Sequence, residues 1–123
     1  MILAKADIDL LIVDSSYASL ENVIKHHYRT FGVLGPVFTK MTNIIILLTM
    51  GVSPKNVAPE NIIDNYSIPI FIIHGENDKQ IPVQEAYILK RNNNYAELWI
   101  VPGANHGTTY VSNPLIYQEK IKE

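Results

Sequence analysis

Two residues in this chain could share one chemical task. Asp78 and His106 each follow an apolar run that ends in a turn. Ile70-Phe71-Ile72-Ile73 leads into His74-Gly75-Glu76-Asn77-Asp78, and Leu98-Trp99-Ile100-Val101 leads into Pro102-Gly103-Ala104-Asn105-His106-Gly107. A buried carboxylate that accepts from one imidazole nitrogen fixes the tautomer of the ring. It also steadies the imidazolium that forms when the other nitrogen takes a proton. That is general-base chemistry. The same pair also suits a loop salt bridge with no catalysis. Asp14 is a rival acid, because a third run over 8–13 ends at Asp14-Ser15-Ser16. It lacks the His-Gly-x-x-Asp context, and its expected role is to cap the turn into a helix starting at Ser19. Ser15 and Ser16 are candidate nucleophiles that lack a strained elbow, so they are expected to satisfy backbone groups in the turn. His74 is expected to pack and hydrogen-bond beneath the acid loop. His26 and His27 are adjacent on a helix and do not share a face, which makes them a poor metal pair. No His/Asp/Glu cluster has zinc spacing, and no phosphate-binding or dinucleotide glycine pattern occurs. No metal and no cofactor are expected.

The elements that would position these residues follow from the apolar pattern. Short β-branched runs closed by Gly, Pro or Ser read as strands buried on both faces, as in a parallel sheet. Between them lie helical stretches. One runs from an N-cap at Ser19 to about Thr30, and another from Pro36 to about Met50 before Gly51. Residues 54–64 are rich in Pro and Asn and read as loop with a short helical turn. Pro82 opens a helix that spaces Val83, Ala86 and Leu89 along one side, and Asn92-Asn93-Asn94 closes it. Asn113-Pro114 starts a last helix with Tyr117 and Ile121 on one face. Parallel strands joined by helical crossovers form an α/β layer. Ligands bind beyond the carboxyl ends of such strands, and here Asp14, Asp78 and His106 all fall at that edge. Neighbouring parallel strands lie about 4.8 Å apart, so their loops can touch.

The segment IFIIHGENDKQIPV, which carries Asp78, resembles the hIHGxxDxxVP acid loop of serine α/β-hydrolases. LWIVPGANHG, which carries His106, is similar to their histidine loop, and YVSNPLIY continues as their last helix does. The likeness is closest to the single-domain esterase and S9-peptidase-like branch. It extends back through LIVDSSY, similar to the family's strand six, and through the approach to strand seven over 53–69. The resemblance implies a three-layer, partial α/β-hydrolase fold with about three parallel strands. Residues 1–123 would be a single domain, the family's C-terminal portion, comprising strands six to eight and lid-like helices over 19–64. The apolar segment 44–50 would contribute to the lid or acyl pocket. Asp78 would be the triad acid and His106 the base, acting on a small-molecule ester or a peptide. The family's nucleophile sits on a G-x-S-x-G elbow before strand six. None of the glycines at 32, 35, 51, 75, 103 and 107 begins or ends such a motif. The resemblance therefore implies a C-terminal fragment with two members of the triad, or an inactive binding module derived from a hydrolase. The apolar start at Ile2 fits a chain cut inside a domain.

Composition narrows the remaining classes. Hydrophobic residues make up 47% of 123 and charged residues 18%, which excludes wholesale disorder. Ten Lys and Arg stand against twelve Asp and Glu, and a pI near 6.1 argues against a nucleic-acid surface. The apolar run at 44–48 is too short to span a membrane, and the N-terminus lacks a signal-peptide pattern. Without cysteine there is no disulfide framework, and a cytoplasmic location is expected. A strand at 8–13 without its neighbour would present an open edge. A homo-oligomer, or association with a missing N-terminal half, is the expectation.

Overall fold

A computed structural model of the chain describes residues 8–122. The sequence readings for residues 1–7, including the apolar start at Ile2, lie outside the described residues. Three strands form one parallel sheet in the order β1 (Leu11–Asp14), β2 (Ile70–Gly75), β3 (Ala96–Val101). This is the expected order. Helix α1 (Leu20–Tyr28) and helix α2 (Gly35–Met50) follow β1. Helix α3 (Val83–Arg91) connects β2 to β3, and α4 (Thr109–Ser112) and α5 (Pro114–Lys122) follow β3. The segment after α2 makes three 3₁₀ turns, at Pro54–Asn56, Pro59–Asn61 and Ile63–Asn65. Each of the first two starts at a proline whose missing N–H costs a turn nothing.

Register sorts the side chains by layer. Leu11, Ile70 and Ala96 are partners across the sheet, as are Val13, Ile72 and Leu98. All six point to one face and pack with Ala86 and Leu89 of α3 and Ala18. On the other face Phe71, Ile73, Trp99 and Val101 meet Ala104 and Tyr117 of α5. Helices thus cover both faces, giving three layers. Of the strands only β2 is buried along nearly its whole length. Ile72 and Ile73 are at most 1% exposed, and each such side chain stabilises the fold by about 1.5–3 kcal/mol. The sequence predicts strands buried on both faces throughout, and both β1 and β3 depart from this, β3 with Glu97 exposed and Leu98, Trp99 and Ile100 only partly buried. Leu10 and Ile12 are exposed, and they line a cavity together with Lys120 and Ile121 of the nine-residue α5.

Glu85 ties the layers together. This buried carboxylate on α3 accepts from the backbone N–H of Ala18 and of Ser19, both at 3.0 Å. Ser19 sits at the N-cap of α1 as expected, but its side chain makes no capping bond. Asn93 does similar work after α3. Its amide donates to the carbonyls of Ile63 and Tyr66, and its oxygen accepts from the N–H of Tyr95 at 2.7 Å.

The helical stretch Leu20–Met50 is long and apolar enough to cross a membrane by length and composition. It reaches well beyond the run at 44–48, yet it is not one rod. Gly32 takes φ 52° and ψ −123°, a conformation that side chains disfavour, and breaks the stretch into two helices. Helices α1 and α2 then pack side by side through Tyr28, Phe31 and Phe38, whose rings lie 5.2–6.1 Å apart. Helix α2 alone is about 24 Å long at 1.5 Å per residue, short of a bilayer core of about 30 Å.

Candidate active site

The acid loop begins where β2 ends and is built by its own backbone. Asp78 turns its side chain back onto the chain. Its Oδ1 accepts from the N–H of Gln80 at 2.8 Å and of Ile81 at 2.9 Å. Aspartate favours such turns because its short carboxylate reaches N–H groups two or three residues on. The side chain is fully buried. Its second oxygen, Oδ2, accepts from His106 Nδ1 at 2.8 Å. The two residues singled out by their spacing are therefore in direct contact.

The contact depends on how the two loops dock. The N–H of Glu76 donates to Val101 O at 3.0 Å, and the N–H of Asn77 donates to Ala104 O at 2.9 Å. Glu76 also accepts from the N–H of Gly103 at 3.0 Å. At the crossing point stands Gly75. A Cβ there would lie 2.5 Å from Ala104 O and 2.8 Å from Asn105 O, closer than backbone atoms tolerate. Glycine lets the acid loop touch the histidine loop.

With Nδ1–H donated to Asp78, neutral His106 carries its lone pair on Nε2. The described residues give Nε2 no partner, and the His106 side chain is 33% exposed. The arrangement is a partly exposed imidazole held over a buried carboxylate. His74 lies beneath. Its ring is fully buried, Nε2 donates to Ile81 O at 2.9 Å and stands 3.6 Å from Asp78 Oδ2, and Nδ1 has no partner among the described residues. This matches the packing and hydrogen-bonding part expected of it. His26 and His27 lie on α1 and join no site.

Asp14 differs from expectation. It makes no capping bond to α1. Its Oδ2 accepts from Thr109 Oγ1 at 2.6 Å and from the Tyr117 hydroxyl at 3.0 Å, and its Oδ1 accepts from Ser15 Oγ. It binds the end of β1 to α4 and α5, and it does not contact His106. The Tyr117 phenol is pushed up to about 12 by burial first and by the Asp14 hydrogen bond and charge second. Ser15 also differs. The sequence suggests an unstrained turn, but Ser15 takes φ 51°, where a residue with a Cβ is uncommon. Its Oγ accepts weakly from the N–H of Gly107 at 3.4 Å. Asp14 and Ser15 thus hold the chain that follows His106, at Thr109 and at Gly107. Sequence reading missed Gly75 and Glu76 as builders of the site. Only Gly75 left a local signal, a glycine directly at a strand end.

The chain matches no protein-family model. Among curated proteins it is similar to an uncharacterized protein, YqkD, of Bacillus subtilis (strain 168), at 22% identity over 117 residues. That alignment covers 94% of this chain and 38% of YqkD. Among solved structures it superposes on an α/β fold family hydrolase from Bacillus anthracis str. Sterne with TM-score 0.68 at 14% identity, covering 98% of this chain and 59% of that one. The Pyrococcus furiosus esterase Pf2001 gives TM-score 0.61 at 21% identity, covering 96% and 44%. MGS-MChE2, an α/β hydrolase enzyme from a sediment metagenome of the Mar Chica lagoon, Morocco, gives 0.58 at 18%, covering 93% and 48%. This is a partial α/β-hydrolase fold. The chain spans between 38% and 59% of the length of these proteins.

Proposed function

We propose that the chain carries the acid and the base of a serine hydrolase that cleaves carboxylic esters or short peptides. The contact that supports this reading is the 2.8 Å bond from His106 Nδ1 to the buried Asp78 carboxylate. In the proposed reaction His106 Nε2 takes the proton of an attacking serine hydroxyl as the hydroxyl oxygen bonds to the substrate carbonyl carbon. The ring then returns that proton to the leaving group. Asp78 stays ionised and holds the imidazolium in place. The 123 residues contain no G-x-S-x-G, so the reading assigns the serine and the oxyanion N–H groups to a segment outside them. The alternative, a hydrolase-derived binding module without catalysis, is favoured by that same missing motif.

Two measurements on the chain test the assignment. Ring ¹⁵N shifts should show neutral His106 as the Nδ1–H tautomer, and Asp78→Asn should mix the tautomers. An unchanged tautomer in Asp78→Asn would overturn the acid–base pairing. Intact-mass spectrometry after a fluorophosphonate probe should show no adduct on the chain alone. An adduct abolished by His106→Ala would place the nucleophile within these residues, with Ser15 and Ser16 the first to map.

A further inference from the structure

A second feature lies among the helices between β1 and β2. A cavity of about 860 Å³ opens between α1, α2 and the turn at Pro54–Asn56. That volume falls in the range of small-molecule sites. No residue of the loops carrying Asp78 and His106 lines it.

Its charge is unlike that of the rest of the chain. Lys25, Arg29, Lys40 and Lys55 line it, four of the chain's ten basic residues, whereas Glu21 is the single acidic residue there out of twelve. Glu21 pairs with Lys25 at 3.3 Å. Among the described residues Arg29, Lys40 and Lys55 have no ion-pair partner. The chain as a whole has a formal net charge of −2. Cations gathered around one cavity repel each other, and holding two helices side by side does not require them. The walls between the charges are apolar, with Tyr28, Ile44 and Leu47. Asn43 also faces the cavity, and its Oδ1 is buried without a partner. Rotation of that amide can offer either an acceptor or a donor to a polar group.

We propose that this cavity binds an anionic amphiphile, with a carboxylate or phosphate head among Lys25, Arg29, Lys40 and Lys55 and an apolar tail against Tyr28, Ile44 and Leu47. The charge excess selects the head, and the apolar walls select against a bare anion. The site shares no residue with the loops carrying Asp78 and His106, while Ile44 and Leu47 fall in the segment 44–50 that the resemblance assigns to a lid or acyl pocket.

Isothermal titration calorimetry of the 123-residue chain decides the matter, with every probe kept below its micelle concentration. Dodecanoate or dodecyl phosphate should bind saturably, one per chain, and the tighter of the two identifies the head group. Arg29→Glu with Lys40→Glu should weaken that binding by about tenfold or more, since both are exposed charges screened by solvent. Added sodium chloride should weaken binding to the wild-type chain, a test that needs no variant. Dodecyltrimethylammonium binding as tightly as dodecanoate would overturn the proposal, because the site would then be merely apolar. So would inorganic phosphate binding as tightly as dodecyl phosphate, an affinity unmoved by both salt and charge reversal, or no saturable binding of either anion.

Discussion

At the scale of single residues the site is a matter of contact distances. Gly75 is the sharpest case. A methyl group there meets two carbonyl oxygens of the histidine loop, at 2.5 and 2.8 Å, and these are backbone atoms with little freedom to retreat. Gly75→Ala should destabilise the fold by about 1–3 kcal/mol, the usual cost of overpacking. It should also part Asp78 from His106, so a thermal melt and the His106 tautomer should change together. A melt lowered with the tautomer intact would mean that the two loops move as one. Tyr117 offers a pH test. Its hydroxyl loses its proton near 12 rather than at the ordinary 10.0, through burial and then Asp14. Between those values the folded chain holds a proton that the unfolded chain has lost. The interaction therefore stabilises fully below pH 10 and is lost as pH rises toward 12. Ultraviolet titration should show a late tyrosine ionisation, and Asp14→Asn should bring it earlier. Asp78 and His106 were legible in the sequence because each sits in a motif with local order. Asp14 was not legible, since its partners Thr109 and Tyr117 lie some hundred residues away in the chain and no local pattern encodes them.

Elements place those residues, and here burial decides. The strands were readable because β-branched runs between turn residues have few other uses. Their order was readable because each crossover carries a helix. The uneven cover of β1 was not readable, because it depends on what packs over the strand from distant parts of the chain, such as Lys120 and Ile121, rather than on anything within 8–14. The anchoring part of Glu85 was equally hidden. On sequence it is a first-turn acid of α3, a common helix-dipole position. In the structure it takes two N–H groups from the segment between β1 and α1. Removing the carboxylate leaves both donors buried and unpaired, at about 1–3 kcal/mol each. Glu85→Ala should therefore cost at least about 2 kcal/mol in chemical denaturation, and Glu85→Gln, which keeps an acceptor oxygen, should cost less. Equal losses in the two variants would show that charge rather than hydrogen bonding carries the effect.

The whole molecule leaves two surfaces in tension with water. Among the described residues β1 pairs with β2 on one side alone, and the exposed Ile12, with Leu10 just before the strand, borders that edge. Unpaired strand edges are templates for another strand. The second surface is the outer side of α2 and its flanks, where Val33, Val37, Met41, Ile45 and Leu48 recur at helical spacing and all are exposed. Contiguous apolar patches of this kind favour association. We expect the chain to associate with itself, or with a polypeptide that supplies a strand next to β1. Analytical ultracentrifugation over a concentration series should show a rising average mass, and Ile12→Lys and Leu48→Glu separate the two surfaces. If Ile12→Lys alone restores the monomer, the strand edge drives assembly. If Leu48→Glu alone does so, the helix face does, and the edge is protected in some other way. The two outcomes carry different meanings for the proposed hydrolase. A serine lying before strand six would have to reach His106 across the edge of β1, so assembly through that edge would put a partner strand where the nucleophile is needed. Assembly through α2 would leave that edge open. A monodisperse monomer at high concentration would remove both.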